Sequence, residues 1–142
     1  MSKFLSKSDL QRLKDAVATS EKETSGEIVV SVQKKLGEDP NETAKKFFEE
    51  KGLTNTKDRN GILIMIGYKD QQLVILGDEG INEKVPPKFW DEIILLMVDH
   101  FKDNNYAKGL EKAILQVGQQ LKEYFPHQSD DVNELPDDIH VE

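Results

Sequence analysis

The sequence contains no cysteine, which excludes a disulfide framework, thiolate zinc sites and cysteine nucleophiles. Long apolar runs are also missing: the longest, residues 93–98, is far shorter than the roughly 20 residues that cross a bilayer. The first residues show neither the extended apolar stretch nor the small-residue cleavage site of a secretory signal. We therefore expect a cytoplasmic protein that does not insert into a membrane.

Basic residues are absent from the C-terminal end of the chain. Residues 127–142 carry six acids and no Lys or Arg, namely Asp130, Asp131, Glu134, Asp137, Asp138 and Glu142. The rest of the chain is nearly neutral, with 21 acidic against 19 basic residues. A polyanion would be repelled by the net charge of −8 and would find no basic stripe, so nucleic acid is not an expected partner. The sequence indicates no particular protein partner, and we expect a monomer.

Hydrophobic patterning predicts one α/β domain over residues 1–126, followed by an acidic tail over 127–142. The expected helices cover about 6–20, 39–52, 87–102 and 106–125, and the expected strands 27–32, 61–67 and 73–76. The run 61–67 is apolar throughout, so this strand should be covered on both faces. The predicted fold is a small mixed sheet sandwiched between about four helices, with three main strands and room for a fourth short one. In the tail, Leu135, Ile139 and Val141 are candidates for docking on the domain.

Oxygen-bearing side chains are expected to meet at one rim of this sheet. The first two strands should be parallel, because a helix connects them, and the second and third should form an antiparallel hairpin. Pairing outward from the hairpin turn places Asp78 close to Asp58 and Asn60. Glu27 starts the first strand at the same end, and Asp91 opens the helix that follows the loop after the third strand. This rim lies opposite the carboxyl ends of the parallel strands, where ligands of open α/β sheets usually bind.

Several carboxylates in one place repel each other unless a positive charge lies between them. Ca²⁺ suits these ligands, because it takes six to eight oxygens from carboxylates, amides, backbone carbonyls and water. Mg²⁺ and Mn²⁺ remain open, whereas zinc is disfavoured by the lack of cysteine. On this reasoning, Asp78→Asn should leave the cation-free protein at least as stable as the wild type. Each acid also has an ordinary interpretation in a turn, a strand or a helix start, so a purely structural domain is a further alternative.

Four segments that contain these acids resemble the TPM domain family, named for thylakoid-lumen, photosystem-repair and channel-modulator proteins. They are residues 24–28, 58–64, 75–81 and 89–92, in the family's order and spacing. The resemblance is closest to short soluble bacterial members, and it implies a small sheet between helices and calcium binding. It also points to Glu27, Asp58, Asp78 and Asp91 as the matching motif acids. Because the signal peptide, membrane span and Gly-rich tail of many members are missing here, a thylakoid, envelope or channel role is not expected.

Some plant members of the family are described as acid phosphatases, so metal-dependent hydrolysis of phosphomonoesters is the alternative function. The chain has two arginines, Arg12 and Arg59, and only Arg59 is placed to hold a phosphate. No aspartyl-phosphate pattern is present, and His100, His127 and His140 do not have the spacing of a catalytic triad. Catalysis would therefore need metal-activated water, which Ca²⁺ supplies poorly. We rank a cation-binding regulatory or interaction module above an enzyme.

Overall fold

The computed structural model describes residues 5–54, 59–86, 88–126 and 139–141. Among these, the chain divides into two compact units. The first comprises residues 26–54, 59–84 and 139–141, and the second comprises residues 5–25, 85–86 and 88–126. The first unit contains the sheet with two of the helices, and the second unit contains the other three helices.

The described residues form five helices and four strands. The helices are α1 (Lys7–Lys22), α2 (Pro40–Glu50), α3 (Glu79–Asn82), α4 (Phe89–Lys102) and α5 (Tyr106–Tyr124). The strands are β1 (Glu27–Gln33), β2 (Gly61–Gly67), β3 (Gln72–Gly77) and β4 (Ile139–Val141). The predicted α/β class with a small mixed sheet is confirmed, and the short fourth strand is present. The helix α3 was not predicted, and Pro87, the predicted start of α4, lies outside the described residues.

The sheet has the strand order β3-β2-β1-β4. The strands β1 and β2 are parallel and in register from Glu27 opposite Gly61, so both begin at the same end of the sheet. The strands β2 and β3 are antiparallel, and their pairing runs from Gly67 opposite Gln72 to Ile62 opposite Gly77. The carboxyl end of β3 therefore lies beside the start of β2, as the sequence predicted.

The strand β2 is buried along its whole length, as its uniformly apolar sequence predicted. One face belongs to a cluster shared with α2, consisting of Val29, Leu36, Ala44, Phe48, Leu53, Leu63, Met65 and Val74. The residues of the other face are also buried, namely Ile28, Val30 and Val32 from β1 and Ile62, Ile64 and Ile66 from β2. The helix α2 starts at Asp39, whose carboxylate accepts a hydrogen bond from the Glu42 backbone N–H at 3.2 Å.

The second unit is a group of three helices in which α1 and α4 both pack against α5. A capping box starts α1: Ser6 Oγ accepts from the Asp9 N–H, and the Asp9 carboxylate accepts from the Ser6 N–H. Close packing of α1 on α5 depends on Gly118, because a Cβ atom built there would lie 2.5 Å from the Cβ of Ser20. A glycine within a helix lowers helix propensity, and here it permits this close approach.

The strand β4 lies within the part of the chain predicted as an acidic tail. It pairs in parallel with β1, with Ile139 opposite Val30 and Val141 opposite Val32. The His140 ring packs edge-on against Phe47 of α2, with a centroid distance of 5.5 Å. Ile139 and Val141 therefore dock as the sequence allowed, whereas Leu135, the third docking candidate, lies outside the described residues.

Deleting residues 139–142 should lower the free energy of unfolding, because β1 would lose a paired neighbour and Phe47 its ring contact. A few ladder hydrogen bonds and two half-buried aliphatic side chains are together worth about 2 kcal/mol. Urea unfolding of the full chain and the truncated chain measures the difference, with deletion of Glu142 alone as the control. Equal stability of all three proteins would mean that β4 contributes nothing to the folded state.

Candidate cation site

Three of the predicted ligands meet at one end of the sheet in the first unit. Glu27 is paired with Gly61 across β1 and β2, and Asn60 directly precedes Gly61. Asp78 follows β3, and its backbone N–H donates to the Gly61 carbonyl at 2.9 Å. All three side chains belong to buried residues, with exposed fractions of 3% for Glu27, 2% for Asn60 and 6% for Asp78. The predicted convergence at the amino ends of the parallel strands is therefore present for these three residues.

The backbone around this end is held by two local features. Arg59 has φ of +50°, in the left-handed region, and its carbonyl accepts a hydrogen bond from the Gly80 N–H at 2.8 Å. Asp78 is the N-cap of α3, and its Oδ1 accepts from the Glu79 N–H at 2.8 Å. The segment before β2 is thus tied to the turn after β3. Because α3 is a single turn of four residues, no apolar periodicity was long enough to predict it.

The Asp78 carboxylate is bound by Arg59. Arg59 Nε donates to Asp78 Oδ2 at 2.6 Å, and Nη2 donates to Oδ1 at 2.8 Å, which makes the ion pair bidentate. The side chain of Asp78 is 5% exposed and that of Arg59 is 41% exposed. A second carboxylate oxygen, Glu79 Oε2, lies 3.8 Å from Arg59 Nη1. The hydrogen bond to Asp78 raises the pKa of Arg59 above its ordinary value, so the guanidinium stays charged at any pH of interest.

This pairing changes two expectations from the sequence. Arg59 was considered only as a phosphate ligand, yet its guanidinium supplies a positive charge to the Asp78 carboxylate. Asp78→Asn should therefore weaken the cation-free protein instead of leaving it equally stable. The signal was present in the sequence: the hairpin pairing that places Asn60 beside Asp78 also places Arg59 there.

The other two predicted ligands, Asp58 and Asp91, are not among the described residues of the first unit. Asp58 lies outside the described residues. Asp91 belongs to the second unit, where it is exposed in the first turn of α4. An acid at that position complements the helix dipole, which is the ordinary interpretation of Asp91.

The donors present can be tested against the needs of a divalent cation. Glu27, Asn60 and Asp78 offer only oxygen atoms, the ligand type that Ca²⁺ and Mg²⁺ take. Within the described part of the chain, however, no group of three or more His, Asp or Glu side chains is arranged to hold a metal ion. Two carboxylates and one amide would need backbone carbonyls, water or Asp58 to complete a calcium shell. The donor types fit a hard cation, on the condition that Asp78 is released by Arg59 or shared with it.

Comparison with known proteins places the chain in a family. In the residues that the structure describes, no helix is long and apolar enough to cross a membrane. None of the curated proteins compared matches the sequence. The solution NMR structure of the BA42 protein from the psychrophilic bacterium Bizionia argentinensis is similar, with a TM-score of 0.91 and 37% identity. That match covers 100% of this chain and 98% of BA42.

A second NMR structure is more distant. The N-terminal domain of a protein from P. gingivalis matches with a TM-score of 0.73 and 23% identity, over 89% of this chain and 83% of that domain. At this identity the likeness shows a shared fold alone. The sequence model of the TPM domain matches residues 1–120, most of the chain, and the protein therefore belongs to the TPM domain family.

Proposed function

We propose that this TPM-domain protein binds a divalent cation, Ca²⁺ before Mg²⁺ or Mn²⁺, and acts as a regulatory or interaction module. The proposed ligands are Glu27, Asn60 and Asp78, with Asp58 and Asp91 as further candidates from the sequence. The observation that carries the proposal is that three buried residues with oxygen-bearing side chains lie at one end of the sheet. Three different segments of the chain contribute to it, so no single turn or helix start accounts for the arrangement.

Burial gives this convergence its significance. A carboxylate removed from water is costly unless it is paired with a positive charge, hydrogen-bonded or bound to a metal. Two of the three buried residues, Glu27 and Asp78, are carboxylates, and Arg59 is bound to Asp78. A divalent cation would add positive charge at this end of the sheet. The proposed ligands are a mixture of carboxylate and amide oxygens. Such a set favours Ca²⁺, because Ca²⁺ accepts a variable number of oxygen ligands and is less demanding in geometry than Mg²⁺.

The position of the site favours binding over catalysis. Substrate pockets of open α/β sheets usually lie at the carboxyl ends of the parallel strands, whereas Glu27 and Gly61 begin β1 and β2. A cation there would stabilise the connections entering and leaving the sheet. We propose that it does so in a cytoplasmic monomer, and cell fractionation and the solution mass are the checks on these two points.

Calorimetric titration of the chelator-treated full chain with Ca²⁺, Mg²⁺ and Mn²⁺ tests the proposal. We expect saturable 1:1 binding that is tightest for Ca²⁺ and is lost or greatly weakened in Glu27→Gln. Glu49→Gln is the matched control, because Glu49 is an exposed residue of α2 in the same unit and the substitution removes the same charge. No binding by the wild type, or equal weakening in both variants, would refute the proposed site.

The alternative is a metal-dependent phosphatase with Arg59 as the phosphate ligand. The bidentate pair with Asp78 opposes it, because an incoming phosphate would have to separate Arg59 from a carboxylate it already binds at 2.6 and 2.8 Å. We therefore expect turnover of p-nitrophenyl phosphate far below the roughly 1 s⁻¹ at the low end of typical enzymes. Assays with each of the three cations measure it. Turnover at or above that rate, abolished by Arg59→Gln but retained in Arg12→Gln, would reverse the ranking.

A further inference from the structure

We propose that Arg59 is a built-in competitor of the cation: its guanidinium holds the Asp78 carboxylate until a divalent ion displaces it. The inference rests on the proposed cation site and adds a regulatory element to it. As a consequence, the affinity of the site for the cation depends on Arg59 as well as on the ligands.

The hydrogen bonds of Asp78 carry the argument. Oδ2 accepts from Arg59 Nε, and Oδ1 accepts both from Arg59 Nη2 and from the Glu79 N–H. Both oxygens of the carboxylate are thus engaged by donors of the protein. A cation that took either oxygen would stand within a few ångströms of the guanidinium, and two positive charges that close repel strongly at the edge of a protein. The cation and the bidentate pair with Arg59 therefore compete for the Asp78 carboxylate.

The surroundings of Arg59 allow it to leave. Its side chain is 41% exposed, so a released guanidinium can turn into water and need not be buried without a partner. Asp78, in contrast, is 5% exposed and cannot leave without exposing its segment. Displacement thus moves the arginine and keeps the carboxylate in place for the ion.

Release of the side chain should also loosen the backbone. Arg59 has φ of +50°, a left-handed conformation that is strained for a residue other than glycine. The side-chain pair with Asp78 and the hydrogen bond from the Gly80 N–H to the Arg59 carbonyl both help to hold it. Removing the side-chain pair weakens this hold on the backbone. Cation binding would then increase the mobility of the backbone just before β2 and at the start of α3.

The wild-type protein allows a direct test, because its only two arginines are both in bidentate pairs. Arg12 binds Glu111 in the second unit, with Nε to Oε2 and Nη2 to Oε1 both at 2.8 Å. NMR measures the hydrogen exchange of each Nε–H with and without saturating Ca²⁺. We expect exchange at Arg59 to become at least tenfold faster with Ca²⁺, while exchange at Arg12 stays the same. Unchanged exchange at Arg59 in a protein that calorimetry shows to bind Ca²⁺ would overturn the inference.

A pair of variants gives an independent measure of the competition. Removing the competing charge in Arg59→Gln should tighten Ca²⁺ binding by roughly tenfold or more, whereas Arg12→Gln, with the same change in net charge, should stay within about twofold of the wild type. Arg59→Lys keeps the charge but not the bidentate geometry, so its affinity should fall between them.

The outcomes separate the two proposals. If the wild type binds Ca²⁺ and Arg59→Gln binds it no more tightly, competition by Arg59 is refuted while the cation site stands. If neither the wild type nor any folded Arg59 variant binds Ca²⁺, the cation site itself is refuted. Binding of Ca²⁺ by Arg59→Gln but not by the wild type would support both the cation site and the competition. In that case Arg59 would hold Asp78 more strongly than Ca²⁺ does under the conditions of the measurement.

Discussion

Calcium at a hundred times its dissociation constant is expected to raise the free energy of unfolding by about 2.7 kcal/mol, if it binds the folded site and not the unfolded chain. For a chain of 142 residues this corresponds to an increase in melting temperature of roughly 10 °C. Asp78→Asn should abolish the increase, because it removes one of the two buried carboxylates among the proposed ligands. Thermal unfolding with Ca²⁺ and with a chelator measures both values.

The same variant should also unfold at a lower temperature than the wild type when no cation is present. The two carboxylate oxygens of Asp78 accept hydrogen bonds from the Arg59 guanidinium and the Glu79 N–H. An asparagine would offer only one oxygen as acceptor, and its NH₂ group would face the donors of the guanidinium. A folded variant that is less stable without Ca²⁺ and insensitive to it is therefore the expected result. A full calcium-dependent shift in Asp78→Asn would show that Asp78 is not a ligand.

The control for this experiment must leave the fold intact. Asp70, in the turn at the opposite end of the β2–β3 hairpin, is unsuitable, because its Oδ2 accepts from the Leu36 N–H at 2.9 Å and the Gly37 N–H at 3.1 Å. Neutralising it would weaken the chain before α2 for reasons unrelated to a cation. Glu49→Gln, exposed on α2, should keep both the stability and the calcium shift of the wild type.

Replacing Gly118 by valine should destabilise the protein by about 3 kcal/mol or more, because the new side chain meets Ser20 where α1 and α5 are closest. The Cβ of Ser20 would lie 2.5 Å from the new Cβ, and it is fixed to the backbone and cannot turn away. Gly118→Ala should also destabilise, although less, since alanine regains roughly 1 kcal/mol of helix propensity. Urea unfolding measures each variant.

A second substitution makes the cause of this loss testable. Ser20→Gly removes both Ser20 side-chain atoms that the new Cβ would meet. In that background Gly118→Ala should be neutral or stabilising by up to about 1 kcal/mol, so the sign of its effect reverses. The same loss in both backgrounds would mean that the contact with Ser20 does not limit the packing of the two helices.

The features that the sequence predicted are those that depend on patterns of consecutive residues. The uniformly apolar run 61–67 indicated a fully buried strand, and the polar turn after it indicated an antiparallel hairpin. Once those two statements hold, the pairing alone brings Asp78 next to Asn60 and, through the parallel strand, next to Glu27. The position of the candidate site therefore followed from topology, without any metal-binding motif.

The features that it did not predict depend on contacts between distant residues or on very short elements. The hairpin pairing places Arg59 near Asp78, but the left-handed backbone at Arg59 and the bidentate geometry of the ion pair are not indicated by neighbouring residues. The sequence allowed a short fourth strand but did not place it, because β4 has three residues, too few for an alternating pattern to be recognised, and follows an acidic stretch. The close approach of α1 and α5 at Gly118 depends on Ser20, which lies on another helix, so no neighbouring residue indicated it.

Substoichiometric Mn²⁺ added to the chelator-treated protein, with backbone amide signals followed by NMR, tests the position of the cation site most directly. The paramagnetic ion broadens nearby signals, and the two ends of β2 lie roughly 20 Å apart in a seven-residue strand. We expect the amides of Glu27, Gly61 and Asp78 to broaden first, those of Gly67 and Gln72 to persist, and excess Ca²⁺ to restore the lost signals. Broadening that begins in the acidic stretch 127–142 and spares Glu27, Gly61 and Asp78 would contradict a cation site at this end of the sheet.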